Sequence, residues 1–150
     1  MNIRVRGIVV ENNQLLLIKR VRMENNKENI YYVFPGGGLE AGETLEEGVK
    51  REVLEELGID VEVQDMRYLE NFKHTDTYFF NCKWISGNLG TGKGPEFTSK
   101  EYENRGLYIP MAVPISELSE LNVVPLEVRD LVINDYKNKE KGDSGCIKSR

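Results

Sequence analysis

The sequence of 150 residues predicts an α/β fold of the α+β kind. Three observations carry this. Short runs of β-branched and aromatic residues recur along the chain, one segment near residue 45 has both a start and a stop signal for a helix, and no internal repeat is present.

In chain order, "IRVRGIVV" and "LLLIKR" read as two strands joined by the Asn-rich turn "ENNQ". The polar segment "VRMENNKENI" reads as a loop, and "YYVFP" as a short strand stopped by Pro35, which lacks an N–H for a central ladder. Thr44 and Glu47 have the spacing of a capping box, with Glu40 and Glu43 ahead of the positive end of the helix dipole. Leu45, Val49, Val53 and Leu57 then recur every four residues, and Gly58 follows as the stop, which predicts a helix over 45–57. "IDVEVQDMRYLENF" and "DTYFFNCKWI" read as two further strands. The Gly-rich, charged stretch from Ser86 to Asn104 is a long loop, "RGLYIPMAV" another strand, Pro114 and Ser116 the lead into a short helix, and Pro125 the start of a last one through "LEVRDLVINDY". Residues 1–137 are therefore expected to form one domain, and the polar stretch 138–150 a disordered tail.

The net charge of -5 excludes a general electrostatic grip on nucleic acid or an anionic membrane. Cys82 and Cys146 lie too far apart in composition and context for a disulfide framework, so a reducing cytoplasmic setting is expected. The N-terminal sequence reaches charge and Asn too soon for a signal peptide or a membrane span.

The stretch "PGGGLEAGETLEEGVKREVLEELGID" carries the chemistry. On a helix Glu52, Glu55 and Glu56 share a face, and Glu52 and Glu56 flank the apolar stripe, so they are expected to be half sunk. Burying like charges is costly unless a cation sits among them, and Mg²⁺ accepts carboxylate oxygens completed by water and phosphate.

Gly37, Glu43, Arg51, Glu52, Val53, Glu55, Glu56, Gly58 and Ile59 stand at the spacing of the signature of the Nudix hydrolases, which this stretch resembles. Chance would produce such a match with a probability on the order of 10⁻⁸. The resemblance implies a three-layer α/β/α sandwich around a mixed sheet and hydrolysis of a nucleoside diphosphate linked to a group X. It also implies Mg²⁺, with Mn²⁺ as a substitute, held by Glu55, Glu56 and the Gly37 carbonyl, with Glu52 as ligand or base. Arg51 is then expected to orient the glutamates and Glu43 to brace loop and helix. Gly37 and Gly38 would let backbone approach phosphate and take positive φ.

A general base is still required, and the long loop offers Glu96, Glu101 and Glu103; the last two lie nearest the following strand. Phe34, beside the glycines, is the candidate to stack a nucleobase, against a plain core role; Trp84 and Tyr78 read as core or its edge, and His74 as structural. Lys19, Arg20 and Arg22 are placed to meet phosphate, against a solvated strand end, and the resemblance implies for Asn122 the place of an asparagine that bonds the purine in some family members. The expected partner is a small nucleotide: first a nucleoside triphosphate or oxidised purine triphosphate, alternatively ADP-ribose or a nucleotide sugar. A silent nucleotide-sensing module is the reading from another class, and a homodimer is left open.

Overall fold

The computed structural model describes residues 2–90 and 106–149, with side chains through 139. β1 (Asn2–Glu11), β2 (Gln14–Glu24), β3 (Lys27–Val33) and β4 (Gly36–Gly38) precede the helix α1 (Leu45–Leu57). β5 (Ile59–Phe72), β6 (Thr75–Gly87) and β7 (Leu107–Pro114) follow, then a 3₁₀ turn over Ile115–Glu120, β8 (Val123–Val124) and the helix α2 (Leu126–Ser149). The eight strands form one mixed sheet in the order β5-β6-β1-β2-β3-β8, with β4 on β1 and β7 on β2. β1 runs parallel to β6 and β3 parallel to β8; the other pairs are antiparallel.

Alternation along β1 separates two cores. Val5 and Val9 face Val49, Val53 and Leu57 of α1, with Ile59, Val61 and Phe80 closing that layer. Ile8 faces the other way, where Phe34, Phe79, Leu15, Leu17 and Leu118 pack under Val128 and Val132 of α2. The result is the three-layer sandwich, helix on each face of the sheet.

The helix at 45–57 forms where the spacing predicts it. Thr44 accepts from the Glu47 N–H at 3.1 Å, Glu47 returns the bond to the Thr44 N–H at 2.8 Å, and Gly58 stops the helix at φ 80°.

One expectation is corrected. The segment 21–30 is no loop: β2 and β3 continue through it to a two-residue turn, Asn25–Asn26, with φ of 50° and 64°. Asn12–Asn13 repeats this at φ 52° and 63°. Asn tolerates the left-handed region that tight hairpins need at both central positions, so an Asn pair between β-prone runs marks a hairpin. The backbone of α2 runs to Ser149; Lys137, Lys139, Glu140 and Lys141 are good helix formers and no proline interrupts them.

β5 is an outer strand, and its ladder with β6 shifts register between Asp60 and Val61, Val63 and Met66, and Met66 and Tyr68. Among the described residues no helix is long and apolar enough to cross a membrane.

The β5–β6 turn uses Lys73 and His74 at φ 50° and 63°, positions where neither side chain is at ease. Relief of that strain predicts that His74→Gly raises stability by about 1 kcal/mol, a few degrees in thermal melting. An unchanged or lower melting temperature would contradict it.

Candidate active site

The "GGG" stretch is a strand rather than a loop. Gly36, Gly37 and Gly38 pair with Arg6, Val5 and Arg4 of β1, and none of the three takes positive φ. What they require is closeness. A Cβ at Gly36 would collide with the Val5 carbonyl oxygen, and one at Gly37 would stand 2.8 Å from both carboxylate oxygens of Glu52. With no side chain between them, β4 lies directly against the glutamate face of α1.

That face carries Glu52, Glu55 and Glu56 as predicted. The Glu52 side chain keeps 13% of its surface exposed and Glu55 47%. Glu56 is half-buried and accepts the Gly36 N–H at 2.6 Å. Burial first, then the charges of Glu52 and Glu55, push its carboxyl up to about 7, against the opposing pull of the Gly36 N–H and of Arg6.

Arg51 organises the rest. Its Nε and Nη2 donate to the two Glu43 oxygens at 2.6 and 3.0 Å, and its Nη1 to Glu52 at 2.9 Å, with Glu55 at 3.4 Å. Nη2 also reaches the Gly38 carbonyl at 3.1 Å. The hydrogen bonds to Glu43 hold the guanidinium pKa above its ordinary value, and the same contact holds the Glu43 carboxyl below the usual carboxylate range. Glu40, read only as a dipole partner, also pairs with Arg51 at 2.9 Å.

Among the described residues no three acidic, His or Cys side chains converge into a closed metal cage. The donor set is nonetheless one that suits Mg²⁺: hard carboxylate oxygens on a rigid helix beside backbone carbonyls. Mg²⁺ keeps water and substrate phosphate in its shell and does not need a dedicated all-protein cage. The residues therefore fit the ion.

A cavity of about 710 Å³ runs from Asn12 and Asn13 to Asp135 and is lined by none of Glu52, Glu55 and Glu56. A second cavity, of about 360 Å³, is lined by Arg4, Arg6, Glu70, Phe72, Lys73, Thr77, Phe79, Val124 and Pro125, among others, and likewise by none of those three glutamates. Arg6 joins it to the glutamates. Its Nη1 donates to the Phe34 carbonyl at 2.6 Å, two residues before the glycine strand. Burial, then Arg4, lowers its pKa, while Glu56, Glu52 and Glu70 oppose the shift.

Several predicted residues lie elsewhere. Phe34 is wholly buried, edge-on to Phe79 at 5.6 Å between centroids, so it is a core residue with no face left for a base. Arg22 is exposed opposite Asn29, near Gly106, and lines neither of these cavities. Arg20 lies over Tyr108, 3.6 Å from the ring centroid, and Lys19 directly precedes it in β2. Asn122 offers its backbone carbonyl to the Tyr32 N–H at 2.9 Å, just ahead of the cavity-lining Val124. His74 caps a hairpin, and Trp84 and Tyr78 pack at the core edge. Glu96, Glu101 and Glu103 fall outside the described residues. Sequence reading missed Arg4 and Arg6, although two arginines alternating inside an otherwise apolar strand are a visible signal.

A family model described as NUDIX domain matches residues 1–105. The ADP-ribose pyrophosphatase of Methanocaldococcus jannaschii is 44% identical over 62 residues, 41% of this chain and 35% of that one. A MutT-like protein of Streptomyces ambofaciens is 40% identical over 89 residues, 57% of this chain and 54% of that one. The match thus spans about half or less of these relatives. A Nudix hydrolase from Nitrosomonas europaea superposes with a TM-score of 0.65 at 19% identity, covering 92% of this chain and 89% of that one. The MutT protein of Methanosarcina mazei gives 0.60 at 19% identity, covering 93% and 95%. At these identities the two structures establish a shared fold. The sequence match over well over half the chain, which includes every fixed position of the glutamate signature, goes further: the chain belongs to the Nudix hydrolase family.

Proposed function

We propose that the chain hydrolyses a phosphoanhydride in a nucleoside diphosphate linked to X, with Mg²⁺ as cofactor and Mn²⁺ as its substitute. The observation that carries this is the glutamate face of α1 set against a side-chain-free strand, with Glu56 half-buried among like charges. Glu52, Glu55, Glu56 and the Gly37 carbonyl would hold the ion, which supplies charge neutralisation of the diphosphate and a more acidic water. Arg51 keeps Glu52 and Glu55 aimed while Glu43 fixes Arg51. Water adds to phosphorus, the bridging P–O bond breaks, and the proton passes to a base for which Glu52, Glu101 and Glu103 are the candidates.

A nucleoside triphosphate, including an oxidised purine form, is the first substrate, giving a nucleoside monophosphate and pyrophosphate. ADP-ribose or a nucleotide sugar is the second reading, favoured by the likeness to the Methanocaldococcus jannaschii enzyme. The catalytic unit is placed in residues 1–137, acting in the cytoplasm on a small nucleotide, alone or as a homodimer.

Three outcomes are expected. Glu56→Gln keeps the volume and the Gly36 contact but removes a ligand charge, so phosphate release from a panel of nucleotides with Mg²⁺ should fall by about a hundredfold or more. Full activity in that variant would end the assignment, and nucleotide binding without any turnover by the parent would leave a sensing module instead. Arg51→Lys offers one point charge where a planar fork serves several acceptors, so kcat/KM should drop about tenfold or more.

The third concerns stability without divalent cations. Because the folded carboxyl of Glu56 titrates near 7 and an ordinary one near 4.5, the folded state holds its proton longer than the unfolded state does. Stability should therefore fall as pH rises from about 4.5 to 7, by on the order of 2–3 kcal/mol, and level off above. Urea titration with chelator across this range should show the decline in the parent and a flatter profile in Glu56→Gln.

A further inference from the structure

Arg4 and Arg6 stand two apart on β1, so their side chains leave the same face, opposite Thr77 and Phe79 in the parallel ladder with β6. Both are partly buried and both line the 360 Å³ cavity, where Lys73 adds a third cation and Glu70 supplies the one carboxylate among the lining residues.

The chain carries an excess of acidic groups, yet among the described residues none of them closes to ion-pair distance on these two arginines. Arg51, Arg67, Arg129 and Lys50 each have a carboxylate at ion-pair distance. Among the described residues neither Arg4 nor Arg6 has one, and the protein hydrogen bond of the Arg6 guanidinium is the single one to the Phe34 carbonyl. Two like charges held side by side, with Glu70, Glu56 and Glu52 near Arg6 but not at ion-pair distance, are costly unless an anion joins them.

The position says which anion. β4 is hydrogen-bonded to Arg4–Arg6 on one side, while Glu56 and Glu52 touch it on the other. One strand spacing, about 5 Å, therefore separates the backbone of the arginine strand from β4, against which the glutamates of α1 lie. Arg6, which lines the cavity and also feels the charges of Glu56 and Glu52, links the two places, so the cavity is within reach of the next substituent of a diphosphate held at the glutamates. Its volume is at the lower end for a small-molecule site, enough for a phosphate and a sugar or base but not for a second nucleotide.

We propose that Arg4 and Arg6 bind a further phosphate of the substrate, outside the diphosphate held at the glutamates, and so select compounds with three consecutive phosphates over those in which X is an uncharged sugar. This rests on the hydrolase reading and narrows its substrate class. A triphosphate meets charge-assisted donors at this point, whereas the ribose of ADP-ribose offers hydroxyls, a difference expected to be tenfold to about a hundredfold in affinity.

The test uses inorganic tripolyphosphate and pyrophosphate, each titrated calorimetrically with Mg²⁺ into the parent protein, Arg4→Gln and Arg4→Lys. Arg4→Gln should bind tripolyphosphate about tenfold or more weakly and pyrophosphate within twofold, while Arg4→Lys keeps tripolyphosphate within a few-fold. In turnover, the ratio of kcat/KM for a nucleoside triphosphate to that for ADP-ribose should fall in Arg4→Gln by the same factor. Equal losses for both ligands, or no loss for either, would overturn the proposal. So would a parent protein that turns over ADP-ribose in preference to every triphosphate, an outcome that leaves the hydrolase reading intact. Absence of all turnover would remove that reading instead, and the tripolyphosphate titration would still decide whether the arginines hold a third phosphate. Should Arg4→Gln melt well below the parent, Arg4→Lys at raised salt supplies the comparison, with tripolyphosphate affinity expected to fall more steeply than pyrophosphate affinity.

Discussion

Everything distinctive in this structure depends on the absence of side chains along β4. Three glycines let one strand satisfy β1 through its backbone and press against α1 without a spacer. The Gly36 N–H can then reach Glu56 at 2.6 Å, which fixes a carboxylate beside Glu52 that would otherwise turn toward water. A side chain at 36 would push the strand off Val5, and one at 37 would push Glu52 off its place. The geometry of the acidic face is thus set by what β4 lacks, and the helix supplies only the spacing of the acids.

Charge is distributed by the same logic. Arg51 is consumed by its own protein: Glu43, Glu52, Glu40 and Glu55 surround it, and the guanidinium acts as a scaffold that holds anions apart and aimed. Arg4 and Arg6 face the opposite side of the sheet from α1 and are left without carboxylate partners among the described residues. Cations fully satisfied in the fold maintain shape, while cations left with open donors at a cavity are available to something from outside.

The sequence spoke clearly where local chemistry decides local structure. α1 was legible to the residue, because a capping box, a four-residue apolar period and a left-handed glycine all act within one helix. The acids' half-buried state followed from their place on that helix. Phe34 was not legible in the same way: whether an aromatic residue before a glycine strand faces substrate or core depends on Phe79, forty-five residues away, and the core took it. Asn25–Asn26 was overlooked because polar composition was read as a loop, when backbone tolerance of positive φ is what the pair contributes. Arg4 and Arg6 gained meaning only once the register of β1 against β4 and β6 was known, and register is a long-range property.

The outer strand β5 carries a further consequence. An open strand edge is a template on which a second chain can build, and β5 exposes Met66, Leu69 and Phe72 along fourteen residues. Its repeated register shifts break the regular row of donors and acceptors that such growth needs, and Glu62, Asp65, Arg67 and Glu70 intersperse charge among the apolar groups. The irregularity that spoils the ladder with β6 is also a guard against fibre-like accretion, so straightening β5 would trade tidier pairing for a stickier surface.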